Sequence, residues 1–273
     1  MIHRSRPLQR VISDAGVTLM ELLIALGLTG IVSLAIFKVY NTQHQHYFIQ
    51  DQLTDVQQNA RACIDEITRQ VRMAGFGLPT GLNALRASNA NPDSLVVIYR
   101  ADTCQGVLSA NMASAGASMV CTGSLGCFAP GEWAYIFEPD SGGGEFFVIS
   151  GIDTSTKQIS HDPLSKIYRK DAIVLVISWA QYYIDKSDSS HPTMIVRTPT
   201  NGAQVYADDV ADLQFTYRLS NGTIVDVPPL IEDVREVIVA VTGRSHSADP
   251  FKAGDKYRYR TYTSSINVRN LGN

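Results

Sequence analysis

The stretch "ISDAGVTLMELLIALGLTGIVSLAIF" (Ile12–Phe37) decides how this chain is read. From Val17 to Phe37 run 21 residues whose single charge is Glu21. As a helix they extend about 31 Å, enough to cross the hydrocarbon core of a bilayer. A carboxylate at that depth costs about 3 kcal/mol even on insertion-based scales, so Glu21 needs a partner.

The flanks orient the span. Arg4, Arg6 and Arg10 precede it, and the positive-inside rule places them in the cytoplasm. The remainder of the chain then emerges across the membrane as a single-pass protein. A secretory signal peptide is cut after its apolar region at a small-residue site. No such site follows here; Lys38 leads into the polar "NTQHQHYFIQDQLTDVQQ" (Asn41–Gln58), so the apolar segment is expected to be retained. A plain signal anchor explains that much, but not the register of Gly16 and Glu21.

Beyond the span, Leu53, Val56, Ala60, Ile64, Ile67, Val71 and Ala74 recur at spacings of 3 and 4. This is the period of an amphipathic helix with one apolar face, which Cys63 borders. No proline interrupts Val17–Ala74, so one helix of about 87 Å is expected. "GFGLP" (Gly75–Pro79) stops it. Gly27 and Gly30 weaken the membrane half by propensity, or let helices pack closely there.

The segment "AGVTLMELLIAL" (Ala15–Leu26) resembles the class III signal of type IV pilins and type II secretion pseudopilins. That resemblance implies cleavage after Gly16 on the cytoplasmic side by a prepilin peptidase. The same enzyme then N-methylates the new first residue, Val17, where Phe or Met is usual. Glu21 becomes the fifth mature residue. Physics fits this register: cleavage creates an α-amine four residues before Glu21, and positions i and i+4 share a helix face. When subunits stack, the amine of one can instead meet the carboxylate of its neighbour, where low dielectric strengthens the pair while desolvation offsets part of the gain. Many pilins carry a proline at the position of Lys38; this chain does not.

"QNARACIDEITRQVRMAGFG" (Gln58–Gly77) further resembles PilW-type minor pilins, and "TYTSSINVRNLG" (Thr261–Gly272) is similar to their last strand, closing on Arg269 and Asn270. The likeness covers Ala15 to Gly77 well and the rest thinly. It implies as partners other pilins, an assembly ATPase and an inner-membrane platform. The J-type minor pseudopilin of type II secretion is the near alternative. A signal-anchored exported enzyme or ligand-binding domain is the alternative from another class.

Composition agrees with an ordinary folded chain: 45% hydrophobic and 18% charged, with a formal charge of −3. Losing three arginines and one aspartate with the leader takes that to −5. Neither value suggests a nucleic-acid footprint, and none is expected as partner. Cys104, Cys121 and Cys127 lie in a small-residue region where a disulfide would be useful, which an oxidising compartment permits. Their connectivity stays open. Cys63 reads as a small buried side chain.

After Pro79 come short β-rich runs. "SLVVIYR" (94–100), "WAYIFEP" (133–139), "EFFVISG" (145–151), "AIVLVISWAQYYI" (172–184), "ADLQFTYRL" (211–219), "REVIVAVTG" (235–243) and "YRYRTYTSSINV" (257–268) read as strands. Asp140–Gly144 reads as a hairpin turn, and "LSANMASAGASMVCTGSLG" (108–126) as an excursion tied down by cysteines. The expected fold is α+β and pilin-like, with a long N-terminal helix on an antiparallel sheet. The expected organisation is a leader (1–16), a membrane or filament-core helix (17–40), an amphipathic helix (41–75) and a β-rich globular domain (76–273).

Catalytic signatures are missing: there is no HExxH, GxSxG or Walker A loop, so no enzyme and no cofactor are expected. His44 and His46 sit two apart on the stalk, a poor metal pair. His161, Asp162 and His191 read as solvated loop residues. Asp185, Ser187 and Ser189 imitate the start of a calcium loop, but Val196 stands where its bidentate glutamate belongs. Asp140 and Glu145 read as turn residues rather than calcium ligands, and no metal site is expected. Tyr257–Arg260 alternates aromatic and basic residues, which on a strand puts the tyrosines on one face and the arginines on the other, the pattern of a sheet with one buried and one solvated face.

Overall fold

The computed structural model describes residues 16–100, 102–140 and 143–271. The expected leader, apart from Gly16, lies outside the described residues. Helix α1 spans Leu19–Met73, unbroken through Gly27, Gly30 and Lys38. Among the described residues fifteen strands follow. They are β1 (Leu85–Ser88), β2 (Ser94–Tyr99), β3 (Gln105–Leu108), β4 (Met119–Thr122), β5 (Trp133–Phe137), β6 (Gly144–Asp153), β7 (Gln158–His161) and β8 (Ile173–Val176). Next come β9 (Ser178–Asp185), β10 (Thr193–Thr198), β11 (Gly202–Ala207), β12 (Val210–Leu219), β13 (Ile224–Val225), β14 (Val234–Arg244) and β15 (Tyr259–Asn267). The class is α+β with antiparallel pairing.

The chain divides into two compact units between Asp51 and Gln52, inside the expected amphipathic segment. In the first unit the apolar side chains stay exposed, from Leu19 (81%) to Leu34 (72%) and Phe37 (63%). A soluble monomer rarely leaves so continuous an apolar surface bare. This helix is long and apolar enough to cross a membrane.

In the second unit, burial along α1 begins at Gln52 and continues through Val56, Ala60, Cys63, Ile67, Gln70 and Val71. The buried stripe is rotated from the sequence expectation. Cys63 sits at its centre, fully buried, while Leu53 and Ile64 are only half-buried. Two glutamines join the stripe because their amides find partners. Gln52 Oε1 accepts from Ser247 N at 3.1 Å, and Gln70 Nε2 donates to Glu66 Oε1 at 3.2 Å.

The sequence predicts one antiparallel sheet; the described residues build three sheets. Strands β1-β2-β9-β10-β11 form one, β13-β12-β14-β15 a second, and β3-β4-β7-β6-β5-β8 close into a barrel. The main core lies where α1 meets the two open sheets. Ala60, Ile67 and Val71 pack there with Leu95, Tyr182 and Met194 of one sheet and Phe215, Val239 and Ile266 of the other. The barrel encloses its own core around Leu108, Met119, Ile136, Ile149 and Val174.

The run at 172–184 is therefore two strands rather than one. β8 pairs within the barrel and β9 within the five-stranded sheet. Ile177 between them donates its N–H to Trp133 O at 3.0 Å, so the chain changes sheets without a turn. The 108–126 excursion holds a barrel strand, β4.

Helix α1 ends as its sequence demands. Gly75 takes φ +79°, and a Cβ there would lie 2.5 Å from Asn270 O. Asn270 Nδ2 reaches the free helix-end carbonyls of Arg72 (3.4 Å) and Ala74 (3.3 Å). At the other end of the buried stripe, Gly243 of β14 lets Val56 approach: an added Cβ would lie 2.7 Å from Val56 Cγ1.

Candidate functional site

The helix starts two residues later than Val17, and the reason is local. Thr18 O accepts the first helical hydrogen bond, from Leu22 N at 3.2 Å, which makes Thr18 the N-cap. Its Oγ1 accepts from Glu21 N at 3.2 Å. In return Glu21 Oε2 accepts from Thr18 N (3.4 Å) and Thr18 Oγ1 (3.3 Å). This reciprocal pair is a capping box, written in the sequence as Thr-x-x-Glu. The helix dipole favours an acid in this first turn as well.

Two chemical consequences follow. The Gly16–Val17 bond lies outside the helix; Gly16 is exposed with no neighbour that a Cβ would touch, and Val17 is 73% exposed. A peptide bond in this setting is open to a protease. Glu21, meanwhile, is only half satisfied: Oε1 accepts no hydrogen bond from any described residue, so one oxygen is left for an outside donor. Farther along the span, Thr29 Oγ1 donates back to Ala25 O at 2.8 Å. Sequence reasoning gave Glu21 a partner created by cleavage and missed Thr18, although the Thr-x-x-Glu spacing was there to read.

Of the three cysteines, Cys104 and Cys127 are bonded. Cys121 is a free buried thiol, as is Cys63. Alternation along β4 explains this: Met119 and Cys121 point into the barrel while Val120 and Thr122 face out. Burial pushes the Cys121 thiol up to about 11 and the Cys63 thiol up to about 12.

The remaining polar residues sort into turns, pairs and one cluster. Asp185 Oδ1 accepts from Ser187 N at 2.8 Å in an ordinary turn, and Glu145 is taken up by Ser165 N (2.8 Å) and Oγ (3.0 Å). Arg258 is held by Asp249 at 2.5 Å. His44 rests near the Tyr40 ring, with centroids 6.1 Å apart. His161 departs from the solvated reading: it is buried, with its ring nitrogens 2.6 Å from Asp162 O and 3.1 Å from Ala117 O. There it ties the end of β7 to the 108–126 loop.

His191 stays half-exposed in its loop but is not alone. Its Nδ1 lies 3.1 Å from Asp209 Oδ1, and His246 Nδ1 lies 2.8 Å from Asp209 Oδ2. The two imidazoles stack, with centroids 4.5 Å apart. Asp209 and His246 carried no sequence signal, because the fold alone joins positions 18 and 37 residues apart. No family model, curated protein or solved structure matches this chain.

Proposed function

We propose that this chain is a minor pilin subunit of a type IV pilus, held in the inner membrane as a precursor and built into the filament after cleavage at Gly16. Its work is assembly, not turnover. The apolar helix moves from bilayer to filament core, its exposed side chains exchanging lipid for neighbouring helices. The cleaved Val17 amine of one subunit meets Glu21 of the next and sets the axial register. A prepilin peptidase, other pilins, an assembly ATPase and a membrane platform are the partners this role requires.

The observation that carries the reading is the half-satisfied Glu21 at the head of an exposed apolar helix. One carboxylate oxygen is spent on the Thr18 cap and the other is free for a donor. The exposed Gly16–Val17 bond beside it is where such a donor would be generated.

Glu21→Val tests the role. Stranding an amine without its acid in a dry interface costs about 3 kcal/mol or more. That amounts to at least about a hundredfold in an equilibrium. The variant should be exported, cleaved and folded, yet nearly absent from sheared filaments by immunoblot. Recovery within twofold of wild type would remove the register role.

A further inference from the structure

We infer that His191, Asp209 and His246 form a binding site for a borderline-soft divalent cation, with Zn²⁺ as the first candidate. The inference stands independently of the pilin reading. The ligand atoms of the three side chains all lie within 4.8 Å of one another. Zinc bonds of about 2.0–2.2 Å to nitrogen and oxygen put tetrahedral ligand atoms about 3.3 Å apart. The His–Asp contacts of 3.1 and 2.8 Å are already within half an ångström of that. A cation entering between the two Nδ1 atoms and the carboxylate therefore needs a local adjustment of groups that the fold has already gathered within 4.8 Å.

Proton bookkeeping is simple. A neutral imidazole that coordinates through Nδ1 carries its N–H on Nε2. The His191 and His246 side chains are 42% and 66% exposed, so solvent can deliver that tautomer. The two ring nitrogen lone pairs and the Asp209 carboxylate, whose Oδ1 faces His191 and Oδ2 faces His246, supply the ligands, and a further position stays open to water.

The surroundings favour a cation. The cluster lines a cavity of about 500 Å³ whose wall also carries Asp55 and Asp208. Against these three carboxylates stands one guanidinium, Arg244, whose Nη2 lies 3.8 Å from Asp209 Oδ1 and whose hydrogen bonds go to the neighbouring turn. It donates to Ser189 O at 3.3 Å and to Ser190 O, and lies 4.1 Å from the Tyr257 ring centroid. Arg244 also holds the ligands in place. Its carbonyl partners belong to the turn that carries His191, and its backbone N–H donates to Asp209 O at 2.8 Å. Two imidazoles and one carboxylate suit Zn²⁺, Ni²⁺ or Cu²⁺, whereas Ca²⁺ and Mg²⁺ favour all-oxygen sets. Bound metal would staple the turns entering β10 and β12 to the end of β14.

The test uses the full-length chain in detergent, without a polyhistidine tag and stripped with EDTA, titrated calorimetrically with ZnCl₂. One Zn²⁺ per chain is expected, undisturbed by excess Mg²⁺ or Ca²⁺. His246→Ala and His191→Ala should each weaken binding by at least about tenfold, because each removes a direct ligand. A His44→Ala/His46→Ala variant, altered only on the helix, should bind as wild type does. Co²⁺ on the unaltered chain should give the intense visible absorption of a four-coordinate ion, a readout that does not depend on how any variant folds. Absence of saturable Zn²⁺ binding, binding that survives His246→Ala in a folded protein, binding lost in the helix variant, or a weak octahedral cobalt spectrum would each overturn the inference.

Discussion

Gly243→Ala is a substitution that many strands would welcome, yet here it should be costly. The added Cβ would sit 2.7 Å from Val56 Cγ1 and 3.3 Å from Val56 O. Carbon atoms pack best at about 3.5–4.0 Å, so a separation of nearly an ångström must be found. Valine cannot supply it by rotating, because its branched Cβ holds one rotamer in a helix. The helix must instead lift from β14 at its second buried position, and overpacking of this kind costs about 1–3 kcal/mol. Val56→Ala alone removes buried methyl groups and costs about 1.6 kcal/mol in transfer terms. In the double variant the clashing Cγ1 is gone. Its cost should fall short of the sum by about 1 kcal/mol, the coupling expected of residues in contact. Urea titration of the full-length chain in detergent, followed by far-ultraviolet circular dichroism, reads these values. The Gly243→Ala midpoint should drop by about half to one molar. An unchanged midpoint, or costs that simply add, would refute the idea that this glycine exists to seat the helix.

Two further outcomes test other parts of the fold. Asn270→Asp should destabilise more than Asn270→Ala in the same titration, because a carboxylate would face the Arg72 and Ala74 carbonyls that the amide now satisfies; equal costs would deny the cap. Iodoacetamide should spare the native protein, label only Cys63 and Cys121 after denaturation without reductant, and label all four cysteines after reduction. Mass spectrometry that instead finds Cys121 in the disulfide would contradict the inward-facing β4.

What the sequence disclosed follows from how local each signal is. Helical spacing from Leu53 to Ala74 and the unbroken apolar run before it announced α1, and the Gly75 stop was legible because one residue type serves it. The rotation that centres Cys63 was not, since it depends on Ser247 reaching Gln52 from 195 residues away. The long strands were readable by their β-branched runs. The change of sheet at Ile177 was hidden because no turn residue marks it, and β4 was lost among small residues. Strand β11 is exposed along all but its last residue and so carries no alternation of buried and solvated positions to read. At the candidate sites the contrast is the same. Gly16, Val17 and Glu21 lie within six residues and announce themselves, whereas His191, Asp209 and His246 meet only after three connections have folded together.

Mass spectrometry of the mature N-terminus tests the central claim most directly. Protein taken from cells that contain the prepilin peptidase should begin at Val17 and carry one methyl group on its α-amine. A filament-borne chain that still begins at Met1, or one cut beyond Phe37, would contradict the account.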